Sequence, residues 1–202
     1  NGFRDIDAGD PDTGFNRSEF MLRSFVQTTP GEPIFNRLEL KLGFSRERSN
    51  ETYLGLSDED FRADPTRRYA ASQLDRMTWW RTQIQLRHHL VVGEHLDLVT
   101  TAYRHDFQRT WRRLNRFVGE RDNGGPSLFD ILNNPNGARD TYYRVLSGER
   151  DSTEFGPDHD LLVVSNARRF VSEGIQTELH ATFGDAVTQE LTVGLRLHHD
   201  QI

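Results

Sequence analysis

Phe35-Asn-Arg-Leu-Glu-Leu-Lys-Leu-Gly-Phe-Ser45 decides how this chain is read. Leu38, Leu40, Leu42 and Phe44 alternate with Glu39, Lys41, Gly43 and Ser45. Period two makes one face of an extended strand apolar and the other polar. A polar excursion follows from Glu47 to Leu74, and the chain re-enters an alternating run at Met77. A long strand, a long loop and a long strand back form the unit that the rest of the chain repeats.

Working outward, a first strand is expected over Phe15–Gln27, where Phe20 and Leu22 alternate with Glu19 and Arg23. The turn after it, Thr28 to Pro33, holds two prolines that cannot continue a ladder. The second strand is Phe35–Ser45. A third runs over Met77–Leu90 with Trp80, Ile84, Leu86 and Leu90 on one face, and Arg81, Gln83, Arg87 and His89 on the other. A short turn leads into a fourth strand, Leu96–Trp111. The longest excursion, Arg112 to Asn166, contains one helical turn near Ser127–Leu132 and a strand start near Leu161–Val164. A fifth strand, Phe170–Phe183, a short turn and a sixth strand from Gln189 complete the chain.

Connections therefore alternate short and long. The expected strands, about 11–16 residues each, exceed the usual ~5–6. At about 3.3 Å per residue they are long enough to cross a hydrocarbon core of about 30 Å. Their second faces carry Glu39, Lys41, Arg81, Arg87, Glu178, Glu190 and Arg196. A soluble sandwich has the same period with its apolar face inward. A transmembrane barrel additionally accounts for strand length and for turns short at one end and long at the other. It also calls for aromatic girdles. Phe44, Trp79, Trp80, Phe107 and Trp111 lie near the long loops, and Phe35 and Phe183 near the short turns. Ordinary sheet aromatics would account for the same residues.

Composition narrows the function classes. The 202 residues leave room for one or two domains, 35% of them hydrophobic and 28% charged, with net charge -6. No basic run suits phosphate, so nucleic acid is not an expected partner. The absence of cysteine excludes disulfides and thiolate chemistry. No Gly-x-Ser-x-Gly, Walker loop or His-Glu-x-x-His occurs, so no enzyme, cofactor or metal is expected. His88-His89 and His198-His199 are strand neighbours pointing to opposite faces, which prevents either pair from chelating one metal. Residues 1–14 read as an acidic loop. Asp5, Asp7, Asp10 and Asp12 fail the calcium-loop pattern because Gly9 is one place early and Asn16 replaces the bidentate Glu. The chain opens at Asn1 without a signal peptide and closes in a strand-like run, and is read as an internal stretch of a larger protein.

Thr52-Tyr-Leu-Gly-Leu-Ser-Asp-Glu-Asp-Phe-Arg-Ala-Asp-Pro65 followed by Arg67-Arg-Tyr-Ala-Ala-Ser-Gln-Leu-Asp-Arg-Met77 resembles the barrel of TonB-dependent outer-membrane receptors, in the branch of ferric dicitrate and related siderophore transporters. Thr101-Ala-Tyr-Arg-His-Asp-Phe107, Thr110-Trp-Arg-Arg-Leu-Asn115, Phe170-Val-Ser-Glu-Gly-Ile-Gln176 and Gly194-Leu-Arg-Leu-His-His-Asp200 fit the same branch, in order. The loop motif is specific, whereas the strand motifs alone are weak. The resemblance implies a 22-stranded barrel around a plug, an energy-coupling partner on the periplasmic side, a Gram-negative outer membrane and a ferric siderophore or ferric citrate as ligand. This chain matches a mid-barrel slice. The fold expected is all-β, an antiparallel up-and-down meander of about six long strands with long extracellular loops, short periplasmic turns and edges that pair with further strands.

A citrate-like chelate is anionic and needs cationic donors, for which the arginine fork is suited. Arg67, Arg68, Arg112, Arg113 and Arg116 lie in or at the base of the long loops and are the candidate ligand contacts. The competing reading pairs them with acids such as Asp58, Asp60 and Asp64. Two other functions fit the same pattern. One is a passive or adhesive porin-like barrel without energy coupling, and the other a soluble β-sandwich binding carbohydrate through its loops.

Overall fold

In a computed structural model, which describes residues 14–202, the alternating runs form six strands. These are β1 (Phe15–Gln27), β2 (Ile34–Ser49), β3 (Arg76–Val92), β4 (Leu96–Phe117), β5 (Leu161–Phe183) and β6 (Gln189–Gln201). They make a single sheet in chain order, β1 to β6, each strand antiparallel to the last. The sheet is open, with β1 and β6 at its edges. The acidic loop holding Asp5 to Asp12 lies outside the described residues.

Four strands run further than the side-chain pattern predicts. β4 continues from Trp111 to Phe117, and β5 begins at Leu161, where Leu161–Val164 marked a strand start, and runs unbroken into the stretch from Phe170. The charges of Arg112, Arg113, Arg168 and Arg169 read as loop, but a ladder is held by backbone groups whatever the side chains are. The two strands are still bonded at Val118 N–H to Asp160 O, 2.9 Å. The longest excursion is therefore shorter than expected and is folded. It carries α2 (Gly119–Asp122), α3 (Leu128–Asn133) and α4 (Asp140–Ser147), and the first excursion carries α1 (Asp58–Ala63).

The chain divides into two units. The sheet unit comprises Arg17–Arg46, Trp79–Arg109 and Arg168–Ile202. The loop unit comprises Glu47–Thr78 and Thr110–Ala167, with residues 14–16. Their energetics differ. The loop unit has a core in which Leu114, Phe117, Ile131, Val145 and Leu146 are buried, with Leu54, Leu128, Tyr142 and Leu161 packed on it. Helix α3 is held by a capping box between Ser127 and Asp130. In the sheet unit only Val171 joins the buried hydrophobic residues. Phe20, Phe44, Ile84, Leu86, Ile175, Leu195 and Leu197 stay exposed, Leu195 and Leu197 by more than 60%.

Within the sheet unit, the apolar face also carries ions. Arg104 bonds Asp106 at 2.9 Å and Glu173 at 3.0 Å, and Arg169 bonds Asp106 at 3.0 Å. These residues make the faces of β4 look poorly sorted in sequence, yet they neutralise one another. The expected aromatic girdle is split. Trp80 and Phe44 share the apolar face, while Trp79 packs on Phe107, and Phe107 on Phe170, on the face of Arg81 and Arg87. Strict alternation along β3 places Trp79 with Arg81.

β5 and β6 pair in register from Val171 opposite Gln201 to Phe183 opposite Gln189. At Gly174, opposite His198, a Cβ would lie 2.5 Å from the Leu197 carbonyl oxygen and 2.9 Å from the Tyr103 hydroxyl. Gly174→Val should cost about 1–3 kcal/mol by overpacking and release amide protection along β6 first. Gln176→Thr, two residues on and facing the same way, should leave hydrogen exchange unchanged.

Candidate functional site

The five candidate arginines all fall in the loop unit, where each is engaged by the protein itself. Arg67 bonds Asp60 at 2.8 Å, one of the acids named for it, and lies 5.4 Å from the Tyr69 ring. Arg68 is buried. Its guanidinium donates to the Ser72 hydroxyl at 2.9 Å, to the Ser72 carbonyl at 2.7 Å and to the carbonyl of Asn50. Arg112 donates to the Leu74 carbonyl at 2.7 Å, and Arg116 to the carbonyls of Phe117 and Val118 at 3.0 and 2.9 Å. Arg113 lies 5.2 Å over the ring of Tyr53. Arg67 and Arg68 thus tie the first excursion to itself. Arg112 and Arg113, neighbours on a strand, point to opposite faces.

Two buried carboxylates organise the unit. Asp60, in α1, accepts from Ser57 Oγ at 2.9 Å, from the hydroxyls of Tyr69 and Tyr143, and from Arg67. Because Tyr143 sits on α4, this carboxylate joins the two excursions. Burial opposes its charge, but the bonds from Tyr143, Tyr69 and Ser57 and the charge of Arg67 outweigh that and hold its pKa below the ordinary value. Burial, with the bond to Asp60, pushes the Tyr143 phenol up. Asp75 accepts from the Thr52 hydroxyl at 2.6 Å and from the Leu114 N–H at 2.5 Å. Here burial prevails and raises the pKa, against those two bonds and the charges of Arg68 and Arg113.

Two surfaces of the loop unit are open to a ligand. Tyr53, 59% exposed, stacks on Trp111 with centroids 4.0 Å apart, and Arg113 covers the Tyr53 ring. Such a stack offers a π face beside a cation. The other is a cleft of about 520 Å³ lined by Ala70, Gln73, Glu149, Arg150, Asp151 and Glu154 among others. Its lining carries three acids, Glu149, Asp151 and Glu154, against one arginine, Arg150, which makes the cleft acidic. An anionic chelate is repelled there.

The histidine pairs split between faces. His88 meets Asn36 and His89 meets Asp97, while His198 meets Tyr103 and His199 approaches Glu173. Sequence reasoning missed Tyr143, because α4 was read as loop. The signal was there: Tyr142, Val145 and Leu146 have helical spacing, and Gly148 closes the helix in the left-handed region at φ 88°. No protein-family model, curated protein or solved structure matches this chain.

Asp60 and Asp75 predict opposite pH limbs for the loop unit. The stabilisation from Asp60 is complete above the ordinary value of 3.8 and is lost as pH falls through its lower folded pKa. Asp75 is penalised while charged, so the unit gains stability as pH falls through its raised pKa toward 3.8. Hydrogen exchange of loop-unit amides between pH 7 and 3 should show a rise followed by a loss. Asp75→Asn should remove the rise and keep the loss. In a double-mutant cycle, Asp60→Asn and Tyr143→Phe should couple by about 1.5–3 kcal/mol, the range for a hydrogen bond to a charged group.

Proposed function

We propose that this chain is part of the barrel of an outer-membrane, TonB-dependent receptor for a ferric siderophore, with ferric citrate as the leading ligand. The observation that carries the reading is the apolar face of the sheet unit, whose leucines, isoleucines and phenylalanines stay exposed among the described residues, in one six-stranded sheet. A water-soluble sandwich would cover them with a facing sheet. A bilayer covers them with acyl chains, and the opposite face then lines a polar lumen.

Dimensions support the same reading. Phe183 is the last apolar residue of β5 at the short-turn end, and Glu173 opens the ion network toward the other end. The ten steps between them span about 33 Å at about 3.3 Å per residue. With a tilt near 40°, that projects to about 25 Å, the height of the apolar band in such barrels. Short turns then face the periplasm and the loop unit faces the exterior. The loop motif, Thr52 to Met77, supports the receptor assignment, with ligand contact at Arg113, Tyr53 and neighbouring loop groups. Coupling to the inner membrane would act through a plug elsewhere in the full-length protein.

Refolding into phospholipid vesicles tests the membrane part. Leu195→Arg, near the middle of the band, should cost about 2–4 kcal/mol, and His199→Arg, near its edge, about 0–1. Equal small effects in both, with a soluble chain that melts cooperatively without lipid, would replace the barrel by a soluble β module. The substrate part is tested separately by uptake of ferric citrate in cells carrying the full-length protein, with and without its coupling partner. Uptake with the partner alone is expected. No uptake of any ferric chelate would leave a passive or adhesive barrel.

A further inference from the structure

The apolar face of the sheet unit is bordered by a continuous chain of four ions on β4 and β5. Arg169 donates to Asp106 Oδ1 at 3.0 Å. Arg104 forks onto both oxygens of Asp106, at 2.9 and 3.2 Å, and its remaining terminal nitrogen donates to Glu173 at 3.0 Å. Two arginines and two carboxylates cancel in formal charge. Their availability differs. Arg104 directs its whole fork at acids, and the Asp106 side chain between the two arginines is only 13% exposed. The Arg169 side chain is 60% exposed and gives one N–H to Asp106, while its other donors meet no acceptor among the described residues. At the far end of the chain, Glu173 Oε1 accepts no hydrogen bond among the described residues. His199, its partner in register on β6, lies 4.0 Å away.

A groove opens beside these ions, toward the short-turn end. Ala102 lies two residues before Arg104 on the same face of β4. The cleft there has a volume of about 400 Å³ and is lined by Ile84, Leu86, Ala102, Arg104 and Glu173 among others. Ala102 contributes only a methyl group between longer neighbours, so the face is hollow at that point. Ile84 and Leu86, on β3, stay exposed. Arg104 and Glu173 therefore belong both to the ion chain and to the wall of an apolar groove. One end of the site is ionic and the other is hydrocarbon, which is the shape of an amphiphile.

We propose that this groove seats one phospholipid with a zwitterionic, amine-bearing headgroup. An acyl chain lies over Ala102 against Ile84 and Leu86, the phosphate meets the open fork of Arg169, and the ammonium donates to Glu173 Oε1. Guanidinium suits phosphate oxygens, and a carboxylate accepts from an ammonium. The balance of the ion chain selects between headgroups. A lipid of net negative charge gains from Arg169 but is opposed by Asp106 and Glu173, whereas a phosphoethanolamine group places each of its charges against an opposite one. The inference rests on the proposed bilayer contact of this face and adds to it one particular lipid at one place.

The test is native mass spectrometry of the full-length protein, purified in detergent and titrated with phosphatidylethanolamine and with phosphatidylglycerol of the same acyl chains. Phosphatidylethanolamine should be retained about tenfold more tightly, a difference of about 1.4 kcal/mol. Glu173→Gln should remove that preference. Arg169→Gln should weaken retention of both lipids, since both carry a phosphate. Ala102→Phe, which fills the groove and keeps every charge, should weaken both as well. Ala181→Phe, on the same face nearer the short turn, should change neither. Equal retention of the two lipids, a preference for phosphatidylglycerol, or retention unchanged in both Glu173→Gln and Ala102→Phe would overturn the seat and leave the barrel standing, because a bilayer-facing wall needs only unselected lipid. A full-length protein that is soluble without detergent and retains no lipid of either kind would overturn the proposed function, and the seat with it.

Discussion

Period-two alternation sends the leucines of β2, β3 and β6 to one face of the sheet and most of the charges to the other, and among the described residues that apolar face stays largely exposed. Burying a leucine contributes about 1.5–3 kcal/mol, and here that contribution is not collected within the protein. The sheet unit is held by its backbone ladder and by polar cross-strand contacts. The Thr100 and Thr177 hydroxyls meet at 2.8 Å, and Glu39 gathers three arginines. The sheet unit therefore draws little of its stability from apolar burial among its own described residues.

The loop unit obeys the opposite rule. Its apolar residues are few, but Phe117, Ile131 and Leu146 are fully buried, and α3 and α4 close over the strand ends that carry Leu114 and Phe117. Short helices of six to eight residues would not persist alone. They are fixed by caps and by the two carboxylates. Asp60 draws hydroxyls from both excursions, so moving one excursion breaks bonds made by the other. Asp75 anchors the chain where β3 leaves its loop. The two groups differ because Asp60 receives a cation directly, whereas Asp75 has only neutral direct donors and its charges at a distance. A buried carboxylate with a paired cation stays charged, and one without leans toward neutrality.

Much of the sheet was legible in the sequence because alternation is a local signal. β1 and the start of β6 fall where Phe15–Gln27 and Gln189 placed them. The end of β4 was not legible, since Arg112 and Arg113 hide a ladder held only by backbone; the start of β5 was legible at Leu161–Val164, but Arg168 and Arg169 hid its continuity with the run from Phe170. Tyr143 was hidden for another reason: its partner Asp60 lies 83 residues away, and no spacing rule reaches that far. The arginines are the instructive case. Their charge and loop position were readable, and both suited an anion. What decides their availability is the set of carbonyls that Arg68, Arg112 and Arg116 satisfy, and those acceptors appear only once the excursions fold.

Charge is also sorted in space in a way that the net value of -6 conceals. Acids collect in the excursions, where Glu149 and Asp151 line the loop cleft and Asp58, Asp60 and Asp64 crowd α1. Cations collect on the polar face of β1 to β3. An anionic solute is therefore disfavoured by the acids of the loop cleft and favoured by Arg113 beside the Tyr53 ring.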